Sequence, residues 1–267
     1  MRISTIIIAK NEENSIADCI ESVKEISDEI IVVDNGSTDR TSDVAKRLGA
    51  RVFEHPARHA SSRLQDVAGG KSNNFSELRN YGLQKIKGEW VFYIDADERV
   101  SDSLRENIKY QISNIKYQMS GFWVKRKNFY LGNNEWPHIE RLQRLFKRES
   151  IKGWQGQLHE TPIFQGQIGE LEGFLMHYTH CDLSSMLAKT IEWSEIEAGL
   201  RFKSNHPKMT WWRFPRVMFS AFFDSYIRQK GFKAGTAGLI ESMYQAFSIF
   251  ITYARLWELQ KKMKVEK

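Results

Sequence analysis

Asp95-Ala96-Asp97 places two carboxylates on either side of a small residue, directly after the apolar run Trp90-Val91-Phe92-Tyr93-Ile94. Carboxylates at that spacing can hold a hard divalent cation, which in turn holds a diphosphate. The bland alternative is that Asp97 or Glu98 merely caps a helix beginning near Ser101. A second cluster, Asp34-Asn35-Gly36-Ser37-Thr38-Asp39, closes another apolar run. A tight turn at Gly36 and capping by Ser37 or Thr38 account for part of it. They do not account for an acid at Asp34, where a carboxylate could accept from a base N–H or a ribose hydroxyl. The third cluster is Ala9-Lys10-Asn11-Glu12-Glu13, whose two acids also suit a helix N-terminus for dipole reasons alone.

These clusters need a scaffold that brings them together. Residues 3–9, 29–33, 51–54 and 89–94 read as strands, and 16–26, 38–48 and 75–86 as helices, the first starting near Asn14 or Ser15. Such alternation predicts a parallel sheet wound with helices on both faces. Ligands bind beyond the carboxyl ends of strands in these sheets, and all three clusters lie there. A polar segment, 55–74, interrupts the pattern and is long enough to be a functional loop, a lid over a bound donor for instance. From residue 120 to 174 the pattern changes to strands at 121–130 and 142–146 punctuated by glycines, which predicts mixed or antiparallel sheet on an acceptor side. Residues 183–202, 211–229 and 235–258 read as helices. The expected organisation is a catalytic domain over 1–180, with a nucleotide half (1–100) and an acceptor half (101–180), then a helical region over 181–267.

Composition narrows the class. The chain has 267 residues, 41% of them hydrophobic and 27% charged, which suits a folded globular protein rather than a disordered one. Two cysteines, Cys19 and Cys181, cannot build a disulfide framework or a cysteine-rich zinc site. The N-terminus runs straight into Ile3–Ile8 without a signal-peptide pattern, and no stretch of eighteen residues lacks a charge, so a cytoplasmic protein is expected. The net charge of +6 is uneven: residues 201–267 carry 13 Lys/Arg against 4 Asp/Glu, among many aromatic side chains. That combination suits the inner face of a membrane or a homo-oligomer interface. No nucleic-acid-binding motif accompanies the charge.

Ala9-Lys10-Asn11-Glu12-Glu13, Val32-Val33-Asp34-Asn35-Gly36-Ser37-Thr38-Asp39 and Asp95-Ala96-Asp97-Glu98, with Arg79-Asn80 between them, resemble the family 2 glycosyltransferases. Looser matches at Leu158-His159-Glu160, His177-Tyr178, Gly231-Phe232 and residues 253–258 are similar to bacterial lipopolysaccharide inner-core glucosyltransferases that act on heptose. The resemblance implies an α/β, GT-A fold (Rossmann-like, with a mostly parallel central sheet) and a helical C-terminal extension. It implies an inverting hexosyltransferase that uses Mg2+ or Mn2+ and a UDP-hexose, UDP-glucose first among them. The acceptor it implies is a saccharide or lipid-linked saccharide in lipopolysaccharide core or other cell-envelope glycan. Ala9, Asn11, Glu12, Asp34, Arg79, Asp95 and Ala96 would bind the donor, with Asp34 and Arg79 at the uracil. Asp95 would sit at the ribose and metal, and Asp97 would ligate the metal.

Inverting transfer also needs a base for the acceptor hydroxyl. The Glu-Asp pair that many members use is absent after residue 100, and Glu160 is the best substitute, against a reading as a surface acid near Pro162. His159 is expected at the acceptor or a phosphate. His177 is preferred over His180 as a metal ligand, although a lone histidine is more often structural. Lys125, Arg126, Lys127, Arg141, Arg144, Lys147, Arg148 and Lys152 suit a phosphorylated or acidic acceptor, Arg144 in particular; alternating solvent-facing charge explains them equally well. Rival readings are a sugar nucleotidyltransferase, which the absence of glycine from residues 9–15 disfavours, a non-catalytic nucleotide-sugar-binding or membrane-surface scaffold, and a transferase acting on a peptide or protein.

Overall fold

Strand β1 (Ile3–Ala9) is apolar on both faces because both are covered. Its Ile7 packs with Val32, Phe92 and Ile94 on one side of the sheet, beneath helices α1 (Ile16–Val23) and α4 (Asp102–Ser113). Ile6 and Ile8 join Ile31, Val33, Val91 and Tyr93 on the other, beneath α3 (Phe75–Leu83). The computed structural model describes residues 2–55, 74–114, 119–156 and 160–265. Residues 56–73 of the proposed lid, and His159, lie outside the described residues.

Strands β2 (Glu29–Asp34) and β4 (Trp90–Asp95) flank β1 in parallel, and β3 (Arg51–Glu54) adds to β2, with α2 (Thr41–Arg47) between β2 and β3 in the chain. Beyond β4 the sheet continues with β7 (Asn134–Lys147), β6 (Met119–Tyr130), β10 (Gln167–Tyr178) and β5 (Glu98–Val100). The β4–β7 and β10–β5 pairings are antiparallel, and β8 (Ile151–Gln155) and β9 (Thr161–Phe164) form a separate antiparallel hairpin. The architecture is α/β with the expected parallel half and the expected antiparallel continuation.

Two differences bear on the site. β7 is 14 residues long rather than the expected five, because its first eight residues, 134–141, are mostly polar and include Pro137, which together hide a strand pattern. β5, which no apolar run signals, begins at Glu98, a fully buried acid. The helix after it is capped by Ser101, whose side chain accepts from the Leu104 N–H, so neither Asp97 nor Glu98 caps it.

A second unit holds residues 128–139 and the described part of 178–267. Within it, α5 (Leu183–Lys203) opens on a reciprocal Asp182/Ser185 cap, and α7 (Gly235–Val265) packs against both α5 and α6 (Arg213–Phe223). Residues 211–229 are not one regular helix: α6 gives way to a wider turn over Asp224–Arg228, and Lys230, at φ 63°, ends it. Pro215 is tolerated because it falls in the first turn, where its missing N–H has no intrahelical partner. Among the described residues no helix is long and apolar enough to cross a membrane.

Candidate active site

The strand register brings the clusters to one edge. Ala9 lies beside Asp34, and Ile8 beside Asp95, so both acids end strands that flank β1. The loops after β1 and β2 are tied together. Asn11 adopts φ 56°, a left-handed conformation asparagine accepts better than most residues. Its backbone N–H donates to Ser37 Oγ at 2.9 Å, and its side-chain oxygen accepts from the Thr38 N–H at 2.7 Å. The N–H of Glu12 donates to Thr41 Oγ1 at 2.7 Å, and the Glu12 carboxylate accepts from Ser15 Oγ at 2.6 Å. Asp34 is buried; Oδ1 accepts from the Ser37 N–H (2.8 Å) and hydroxyl (2.7 Å), and Oδ2 from Ser42 Oγ (2.6 Å). Gly36 makes the turn at φ 78°. Ser37 and Thr38 do not cap α2; Asp39, two residues ahead of Thr41, takes up the Thr41 N–H at 3.0 Å.

Asp95 is the hub of a charged network. Its Oδ1 accepts from Arg79 Nη2 and its Oδ2 from Arg144 Nη2, each at 2.8 Å. Glu98 accepts from the Asp95 N–H (2.9 Å), from Arg126 Nη1 (2.9 Å) and from Arg144 Nη2 (3.2 Å). Arg126 continues to Glu140 through Nε at 2.9 Å. Glu160, from the far side of the hairpin loop, accepts through Oε1 from Arg79 Nε (3.0 Å) and Nη2 (2.8 Å). Burial alone would raise the Asp95 carboxyl, but the guanidiniums of Arg144, Arg79 and Arg126 hold it well below the usual carboxylate range. Burial likewise opposes charge on Arg79, and Asp95 and Glu160 override it. Asp95 and Glu160 thus sit on one buried guanidinium.

Local sequence explains why Arg79 points there. Gly82, one turn on, lies so close to the sheet that a Cβ would approach Ile6 Cγ2 to 2.7 Å, so α3 is pressed against β1. Asn80 fixes the other wall: its side chain donates to the Trp154 carbonyl at 2.9 Å and accepts from the Trp154 N–H at 2.7 Å. That clamp passes over Gly153, at φ 149°, where a Cβ would sit 2.8 Å from Asn80 Oδ1. Trp154 is thereby held with its ring 5.0 Å from the Arg79 guanidinium, an energetically favourable stacking distance. Arg79 Nη1 and Arg144 Nε are buried with no hydrogen-bond partner among the described residues. Unpaired buried donors are costly to the fold.

Asp97 lies two residues past the hub, with Oδ2 3.2 Å from His177 Nε2. β10 delivers His177 there because it pairs with Glu98 across the β5–β10 ladder. His180 is placed elsewhere, with Nδ1 3.2 Å from a carboxylate oxygen of Glu241 in the second unit. Ala96 is buried, its carbonyl accepting from Arg99 at 3.1 Å. Of the basic residues between the acid motif and Glu160, Arg126 and Arg144 turn inward to the network, whereas Lys125 and Arg141 pair with Glu170 at the surface. Glu98, Asn80, Glu140 and Trp154 are participants to which the sequence alone assigned no place in the site. The one available signal was the acid next to Asp95-Ala96-Asp97, which a capping role also explained.

The model of glycosyl transferase family 2 matches residues 4–168. An uncharacterised glycosyltransferase of Rickettsia typhi is 30% identical over 98% of this chain and 89% of its own. The lipopolysaccharide core biosynthesis glycosyltransferase LpsC of Rhizobium meliloti is 27% identical over 96% of this chain and 92% of its own. Among solved structures, glucosyl-3-phosphoglycerate synthase from Mycobacterium tuberculosis, in complex with Mn2+, UDP and glucosyl-3-phosphoglycerate, aligns at 19% identity and a TM-score of 0.41, over 78% of this chain and 81% of that one. With a family match over more than half its length and that level of identity to a near full-length relative, the chain belongs to glycosyl transferase family 2 and is a glycosyltransferase.

Proposed function

We propose that the enzyme transfers a hexose, glucose from UDP-glucose in the first instance, onto a saccharide of lipopolysaccharide core or another cell-envelope glycan, with inversion at the anomeric carbon. The observation that carries this reading is the juxtaposition, at one sheet edge, of Asp97 with His177 and of Asp95 with Glu160 on either side of Arg79. The lipopolysaccharide assignment is supported by the similarity to LpsC over nearly the full chain.

A carboxylate oxygen and an imidazole nitrogen 3.2 Å apart form a donor set that fits Mn2+ and, less well, Mg2+. Among the described residues no cluster of three or more His, Cys, Asp or Glu completes a cation cage, as expected where substrate phosphates and water supply the remaining ligands. When bound, the cation supplies Lewis-acid neutralisation of the charge that builds on the diphosphate. The chain's own residues do the rest. Ala9, Asn11, Glu12 and Asp34 form the edge that receives the nucleoside, and Arg79 stands behind Asp95 at the base. Asp95 and Ala96 line the ribose, with Asp95 held ionised and fixed by two guanidiniums. Glu160 takes the proton of the acceptor hydroxyl on Oε2, the oxygen that Arg79 does not engage. The hydroxyl oxygen forms the new bond to the anomeric carbon as the bond to the β-phosphate breaks, and that electron pair leaves with UDP. Arg144 and His159 serve the acceptor or its phosphate. Residues 1–100 make the donor half and 101–180 the acceptor half.

Calorimetric titration of UDP, GDP and the common UDP-hexoses tests the reading, with and without Mn2+, on wild type and Asp97→Ala. Mn2+-dependent UDP binding that Asp97→Ala abolishes is expected, with UDP-glucose the tightest sugar. Failure of well-folded wild type to bind any nucleotide overturns it.

A further inference from the structure

The helical unit leaves an apolar strip uncovered. Trp211 is 83% exposed and Phe219 70%, and Trp212, Phe223, Ile227 and Phe232 are each at least two-fifths exposed on the same stretch of chain. Trp212, Phe219, Phe223 and Ile227 recur at the seven- and four-residue spacings that align one helical face, and α6 contributes no buried residue to the fold. Large aromatics left to water in this way mark an interaction surface. Among the described residues no helix is long and apolar enough to cross a membrane.

Charge identifies the occupant. Between residues 204 and 240 the chain has six Lys/Arg and a single acid, Asp224. Arg216, Lys230 and Lys233 are exposed beside the aromatic strip, and Arg216 lies over the Trp212 ring at 6.0 Å. A surface that two copies of this chain bury against each other would oppose these like charges with only Asp224 to offset them. An anionic bilayer surface accepts both features, the rings at the headgroup boundary and the cations among the phosphates. We propose that residues 211–233 dock the enzyme on a bilayer containing anionic phospholipid. This surface is independent of the donor site: its residues lie in the second unit, and its failure leaves nucleotide binding untouched.

The test is co-sedimentation of the full chain with vesicles of phosphatidylcholine alone and of phosphatidylcholine with about one-third phosphatidylglycerol. Wild type should bind the anionic vesicles and be released by salt, since screening removes the charge contribution. The triple variant Arg216→Gln/Lys230→Gln/Lys233→Gln should bind them about a hundredfold more weakly, from about fivefold per cation. Trp211→Ala/Phe219→Ala should lose binding while keeping its charge. All five side chains are exposed, and unchanged thermal melting with unchanged UDP binding shows that the variants are folded. Equal binding to both vesicle types, or no binding to either, overturns the proposal. So does a dimer in sedimentation equilibrium that Phe219→Ala dissociates in the absence of lipid, since that makes a second copy the occupant.

Discussion

Arg79→Met isolates the contribution of the guanidinium on which the site is built. Methionine keeps an unbranched apolar stem against Trp154 and removes only the charged head. Asp95 then loses one of its two guanidinium contacts, and Glu160 loses both its hydrogen bonds from Arg79. Arg79 is 2% exposed, so water does not replace them. Breaking a buried ion pair by removing one partner costs about 3–5 kcal/mol, a large part of the ~5–15 kcal/mol that holds a domain folded. Urea titration at pH 7 should show a loss of that size. The pH dependence follows from the sign of the Asp95 shift. Its carboxyl is held low in the folded state, so its stabilisation is complete above the unfolded value near pH 4 and is lost as pH falls towards the folded value. Wild type should therefore lose up to about 1.4 kcal/mol per pH unit through this group below about pH 4. Arg79→Met, with Asp95 held less low, loses less, so the gap between the two proteins narrows on acidification. A gap below about 1 kcal/mol at pH 7, or one that widens towards pH 3, would refute the reasoning.

Two further outcomes are expected. Glu160→Gln should lower kcat by about 10²–10⁴-fold, the usual contribution of a positioned base, while UDP binding changes little in calorimetry. Gly153→Ala should cost about 1–3 kcal/mol in thermal or chemical denaturation, because it forces a side chain into a positive-φ position against Asn80; a neutral substitution would show that the clamp on Trp154 is not tight.

The sheet edge that carries the acidic clusters was legible in the sequence because its logic is local. Ile3–Ala9, Glu29–Asp34 and Trp90–Asp95 each announce a strand buried on two faces and then break to a polar cluster at the carboxyl end. The interior of the site was not, because buried charge is a property of partners distant in the chain. Arg126 and Arg144 read equally well as solvent-facing alternation until Glu98 and Asp95 are found opposite them. Glu98 itself read as a candidate helix cap, yet it is fully buried and its carboxylate receives two guanidiniums and a backbone N–H. The Asn80 clamp on Trp154 joins segments 74 residues apart and depends on a glycine whose purpose is visible only when the two meet. The choice between His177 and His180 needed the β5–β10 register, which puts one against Asp97 while the other meets Glu241.

The most direct test of the central claim is the product itself. Wild type with Mn2+ and UDP-glucose, whose glucosyl bond is α, should glucosylate a deacylated lipopolysaccharide inner-core oligosaccharide, and NMR of the product should show a β-glucoside. An α-linked product would contradict single displacement with Glu160 as base, and the absence of transfer from any UDP-hexose would contradict the assigned donor class.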